Sequence, residues 1–341
     1  MRVYFGGNFW GHSQKERAGK KVGLNQSFEW DGYTWLIPSA YLCSKGLVLD
    51  FCKRIPRHRI QSIMDQWEEK AKHMQLSPEE HELLEFENPM NALPHFKAMV
   101  NRRPSENIRM CTVCWNPLRS EREQEAKEVI ELVEEYHCDK EQGWQFTRAM
   151  IPWPYQRRPG RINLTLNLEP YTLPYPCGQH FTFCKEDSRR QLQILHPVSG
   201  KEYTLSINGM QSELLPERAF RALGICEYPR NMARLAYHYE QEAAYSEFMI
   251  HDCAQGDPPR RLPPQEGGTV KNDFAASIGI IGGVSAAFTP DQEQENYIRE
   301  QYAFSALHFE TVQQVEWRIS AMIKRGEALT LELPMITKEE T

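Results

Sequence analysis

A chain of 341 residues with 40% hydrophobic and 25% charged side chains can bury one large core or two ordinary ones, which excludes a disordered tail protein. Its 40 lysines and arginines against 46 aspartates and glutamates leave a net charge of −6, without the positive field that a duplex-coating protein relies on. No apolar run approaches the roughly 20 residues that span a bilayer, and Arg2 is followed by strand-like residues instead of a signal segment, so a cytoplasmic protein is expected.

The first 55 residues read as strands. Asp31-Gly32 between Phe28, Trp30, Tyr33 and Trp35 predicts a tight hairpin, because glycine accepts positive φ and aromatics favour a pleated surface. The apolar run Gly46 to Cys52 predicts a neighbouring strand buried on both faces. From His58 to Met74 the residues Ile60, Ile63, Met64, Trp67 and Ala71 recur at helical spacing. Ser77-Pro78-Glu79-Glu80 then opens a second helix with a capping box and a proline in the first turn. Asn88 to Pro104 reads as loop with a short helix around His95 to Val100, Ile108 to Trp115 as a strand, and Ser120 as the cap of a third helix carrying Val129, Ile130, Val133 and Tyr136.

The rigid, basic stretch Trp153 to Gly160 marks a change of texture. Beyond it, Arg161 to Leu168 alternates as a strand, and Gln191 to Leu195 with Glu202 to Ile207 form a hairpin. A helical insert is expected over Pro229 to Phe248, with Leu235, Tyr239 and Ala243 on one stripe, and a surface loop over Asp257 to Gly268. Ser277 to Phe288, Tyr302 to Phe309, Val315 to Lys324 and Ala328 to Leu333 read as closing strands, although Val315 to Lys324 also fits a helix. The pattern predicts an α+β protein, predominantly antiparallel β-sheet and sandwich-like, with several amphipathic helices. Residues 1–152 form an N-terminal sheet-plus-helices domain, 153–160 a link, and 161–341 a C-terminal β-rich domain with a helical insert.

Nine cysteines, an odd number without a secretory leader, argue against a disulfide framework and for buried thiols. The metal-like pieces are Cys111-Thr112-Val113-Cys114 and Cys177-Gly178-Gln179-His180 with Cys184, which would together supply a tetrahedral zinc. Bulky Val113 and the absence of a knuckle glycine make buried thiols the simpler account of them, so no cofactor is expected and zinc stands as the alternative. A redox role for Cys111 and Cys114 would need a helix N-terminus that does not follow them.

His251-Asp252-Cys253 sets a base, a carboxylate and a nucleophile side by side, although adjacency in sequence does not assemble a triad. Gly279-Ile280-Ile281-Gly282-Gly283 lacks the spacing of a dinucleotide fingerprint. The basic string Lys53, Arg54, Arg57, His58 and Arg59 reads as a solvated flank. Trp10, Trp30, Tyr33 and Trp35 suit either core packing or a platform for a ligand. The function expected is non-catalytic binding of a small molecule or a protein, without membrane or nucleic acid, on that aromatic hairpin surface. The alternatives are a hydrolase with His251 and Cys253 in its site and a structural zinc protein.

Overall fold

Asp31 and Gly32 both adopt positive φ, 51° and 71°, and this two-residue turn joins β1 (Lys20–Trp30) to β2 (Tyr33–Leu42) as an antiparallel hairpin. β3 (Gly46–Ile55) pairs with β2 and is buried at every position but Arg54, so both of its faces are covered. The computed structural model describes residues 1–11, 16–73, 76–91, 93–124, 126–216, 226–261 and 300–336.

Two helices follow, α1 (Arg57–Lys72), which buries Ile60 and Trp67, and α2 (Pro78–Glu87). The Ser77 hydroxyl accepts the Glu80 N–H, and the Glu80 carboxylate accepts the Ser77 N–H, which closes the capping box. β4 (Phe96–Val100) is a strand where a short helix was expected; Ala98 and Val100 alternate inward, and its ladder to a later strand outweighs local helical spacing. β5 (Arg103–Ser105) and β6 (Arg109–Trp115) come next. Ser120 caps only a 3-10 turn, Glu121–Glu123, and the helix itself, α3 (Glu128–Glu135), begins later. β7 (Gly143–Pro152), β8 (Arg161–Leu168) and β9 (Tyr171–Cys184) complete this part of the chain.

Then come β10 (Arg190–Leu195), β11 (Glu202–Leu214), β12 (Cys226–Glu227) and β13 (Asn231–Tyr239). The expected helical insert is therefore strand over most of its length. Ala233, Leu235, Tyr237 and Tyr239 are buried at every second position, and β13 is paired on both sides; the helix is only the short α4 (Ala244–Glu247). β14 (Phe248–Asp252), β15 (Arg260–Arg261), β16 (Gln301–Phe304), β17 (Gln314–Arg325) and β18 (Leu329–Ile336) follow, so Val315 to Lys324 is strand, not helix. The strand expected at Ser277 to Phe288, with Gly279 to Gly283, and the residues from Leu262 to Gly268 of the expected loop lie outside the described residues.

The protein is an α+β chain built mostly of antiparallel sheet. It divides into two compact units, Met1–Pro176 with Met322–Thr341, and Cys177–Ala321. The chain thus passes from one unit to the other inside β9 and returns inside β17. The segment 153–160, expected to link domains, lies within the first unit, where the Trp153 indole donates to the Cys43 carbonyl at 3.1 Å and the Tyr155 hydroxyl to the Val100 carbonyl at 3.2 Å.

In the first unit, a sheet of order β1-β2-β3-β7-β6 and a sheet of order β18-β8-β4-β5 contribute to one apolar core. Trp35, Leu49 and Phe51 come from the first sheet, and Val100, Leu164 and Leu333 from the second. The second unit holds sheets of order β10-β11-β13-β16 and β14-β17-β9 and the small pair β12-β15. Among the described residues no helix is long and apolar enough to cross a membrane.

Candidate functional site

The aromatic hairpin turns its rings inward. Trp30, Tyr33 and Trp35 are 4%, 5% and 0% exposed, whereas Trp10 is 54% exposed. The Trp30 and Trp35 rings meet at 5.8 Å, the Trp30 indole donates to the Glu327 carbonyl at 2.7 Å, and the Trp35 indole donates to the Trp30 carbonyl at 3.0 Å. These ring faces are spent on the core, so Trp30, Tyr33 and Trp35 do not make an open platform with Trp10.

What the hairpin does hold is a lysine. Residues 47, 49, 51, 53 and 55 of β3 share a face, and all of them are buried, so Lys53 points into the interior with Phe51 and Ile55. Its ammonium sits 3.9 Å from the Tyr33 ring centroid and 5.6 Å from that of Trp35, and donates to the Pro89 carbonyl at 2.8 Å. Loss of water around the amine pulls its pKa down to about 7. Reading Lys53 as part of a solvated basic flank overlooked this alternation; Arg57 of the same string does face solvent, bonded to Glu141 at 2.6 Å.

Lys53, Gln145 and Cys114 stand opposite one another across β3, β7 and β6. Gln145 is fully buried; its amide nitrogen donates to the Met90 carbonyl, and its Oε1 has no partner among the described residues. Beside this row lies a pocket of about 150 Å³ in which α1 contributes Ile60 and Met64, the turn after α2 contributes Met90, and β6 with its exit contributes Cys114, Asn116 and Arg119. Asn116 donates to the Met64 sulfur at 3.4 Å. Arg119 is the one charged lining residue among those described, 3.7 Å from Glu68.

Cys111 and Cys114 lie three apart on β6 and face opposite sides of the sheet. Cys111 packs with the cluster around Val113 and Phe146, where burial pushes its thiol pKa up, and Cys114 faces the pocket. They do not aim at a common ion. They belong to the first unit, and Cys177, His180 and Cys184 to the second. No disulfide joins the nine cysteines.

In the second unit the sequence had set His180 with one group of candidates and Cys253 with another, and the sheet β14-β17-β9 brings these two together. Phe181, Phe183, Ile250, Trp317 and Ile319 point into the core, so the alternate positions, His180 on β9, His251 on β14 with Cys253 just past its end, and Glu316 on β17, share the other face. The Cys253 N–H donates to the Glu316 carbonyl at 2.9 Å, which places these side chains next to each other across the strands. Cys253 Sγ is 3.5 Å and Glu316 Oε1 3.2 Å from the same atom, His180 Nδ1. His251, two residues from Cys253, is opposite Arg318 and forms no part of this trio.

A thiol–imidazole–carboxylate relay uses one ring nitrogen for the thiol and the other for the carboxylate. Here both neighbours crowd Nδ1, which is not that arrangement. Glu316 was missed in the sequence because a lone glutamate on a strand carries no motif, and its partners stand 136 and 63 positions away.

No family model matches the chain, and no curated protein or solved structure matches it.

Proposed function

We propose that the protein is a non-catalytic binding protein whose first unit takes a small organic anion with an apolar body in the pocket between α1, the turn after α2 and β6. The observation that carries this reading is the lining itself. Ile60, Met64 and Met90 offer apolar surface, and among the described residues the one charged lining residue is the cation Arg119. A cavity near 150 Å³ suits a molecule of about the size of benzene with one polar group attached. A guanidinium at its rim favours a carboxylate over a neutral group of the same shape.

The aromatic hairpin has an indirect part in this reading: Tyr33 and Trp35 hold Lys53, Lys53 holds the Pro89 carbonyl, and Pro89 lines the pocket. We read the first unit as sandwich-like, with α1 and α3 as amphipathic flanking helices, and the protein as cytosolic, which its thiols outside disulfides suit.

The experiment is a titration with benzoate, benzamide and toluene followed by methyl NMR. Benzoate is expected to shift the Ile60, Met64 and Met90 methyls and to bind more tightly than benzamide or toluene, and Arg119→Ala is expected to abolish that preference. Absence of benzoate shifts at these methyls, or an unchanged preference in Arg119→Ala, overturns the reading.

A further inference from the structure

The outer face of the sheet β14-β17-β9 carries a second site, independent of the pocket in the first unit. Three side chains with different donor atoms meet there: the Cys253 thiol, the His180 imidazole and the Glu316 carboxylate, with donor atoms all within 4.8 Å of one another. We propose that His180, Cys253 and Glu316 bind one divalent cation of the zinc class, with a fourth coordination position open to solvent.

The distances carry the argument. A tetrahedral zinc lies about 2.3 Å from sulfur and about 2.1 Å from imidazole nitrogen and carboxylate oxygen. Donors around such an ion are therefore about 3.6 Å apart for sulfur and nitrogen and about 3.4 Å apart for nitrogen and oxygen. The protein holds Sγ and Nδ1 at 3.5 Å and Nδ1 and Oε1 at 3.2 Å, so two edges of the coordination tetrahedron are already formed to within a few tenths of an ångström.

Protons serve the trio less well than a cation does. Nδ1 carries either one hydrogen or one lone pair, and it has the sulfur and the carboxylate oxygen both within reach. A single cation engages all three donors together.

The donor chemistry selects the ion. Thiolate and imidazole disfavour magnesium and calcium, which take oxygen ligands, and suit zinc or cobalt(II). One thiolate and one carboxylate balance the two positive charges. All three ligands rise from one face of a sheet, with Glu316 and His180 exposed, so among the described residues the ion is held from one side. The position left over is filled by water or by an exchangeable ligand, as in sites with three protein ligands elsewhere. The fold supplies rigidity: Glu316 lies on the central strand of the three, between the buried Val315 and Trp317, and Cys253 is fixed to it by the backbone bond already described.

The test is titration of the chelator-treated full chain with cobalt(II), read by visible absorption. One equivalent is expected to give the intense bands of four-coordinate cobalt and a thiolate-to-metal charge-transfer band, and zinc is expected to displace it. Cys253→Ser should remove the charge-transfer band. His180→Ala and Glu316→Gln should each weaken zinc binding by at least the roughly tenfold that even outer-sphere partners are worth. Near-ultraviolet circular dichroism of each variant should stay that of the parent, since these side chains lie on the outer face. A weak octahedral spectrum, no binding, or a charge-transfer band that survives Cys253→Ser and disappears in Cys114→Ser would overturn the site. None of these outcomes bears on benzoate binding in the first unit.

Discussion

Arg148 and Asp50 stand opposite each other across β7 and β3, and the guanidinium grips both carboxylate oxygens, at 2.8 and 2.7 Å, out of contact with solvent. Tyr136 donates to the same carboxylate at 2.6 Å, and the Phe9 ring lies 4.3 Å from the guanidinium carbon. Desolvating two charges is offset only while both are present, so removing one leaves the other stranded. Arg148→Met is expected to destabilise the protein by about 3–5 kcal/mol in urea unfolding. A loss under about 1 kcal/mol would mean that water reaches Asp50.

Lys53 makes stability depend on pH in an unusual direction. Burial lowers its folded pKa from 10.5 to about 7, while the unfolded chain keeps the ordinary value. Between these limits the unfolded state holds a proton that the folded state has released, so stability rises with pH. From pH 7 to 9.5 the gain attributable to Lys53 is about 3 kcal/mol, fading below pH 7 where both states are protonated. The measurement is the difference between parent and Lys53→Met across that range. Parallel curves would refute the assignment.

Of the eight tryptophans, Trp10 is the one exposed among the described residues. Acrylamide should therefore quench a single accessible fraction of the fluorescence, and Trp10→Phe should remove it. Quenching that persists in this variant would show that Trp30 or Trp35 opens to solvent.

Gly326 has φ of +65°, and a Cβ there would come within 2.8 Å of the Trp30 ring. Both the backbone and the space disfavour a side chain, so Gly326→Ala is expected to lower stability by about 1–3 kcal/mol. Equilibrium unfolding with unchanged midpoint would contradict this.

Local chemistry made some elements readable in advance. Asp31-Gly32 and Ser77 to Glu80 specify a turn and a cap through their own backbone needs, and both occur where the residues stand. The misread segments, His95 to Val100 and the larger part of Pro229 to Phe248, contain apolar residues that fit a period of two as well as of four. Only partners far along the chain, β8 for β4 and β11 with β16 for β13, decide between the two. The trio on the outer sheet was out of reach for a related reason. His180 and Cys253 stand 73 positions apart, and strand alternation tells which face a residue takes but not which strand lies beside it. Lys53 was within reach: its place in the series from Leu47 to Ile55 already assigned it to the interior.

The passage of the chain through β9 and β17 sets an order for biosynthesis. β8 pairs with β4 on one side and with β18 on the other, and Leu331 and Leu333 of β18 complete the core of the first unit. A ribosome must therefore translate all of Cys177–Ala321 before that core can close. Until then the nascent first unit carries β8 as an open edge with its ladder groups unpaired, the moment at which it is most vulnerable to pairing with another chain.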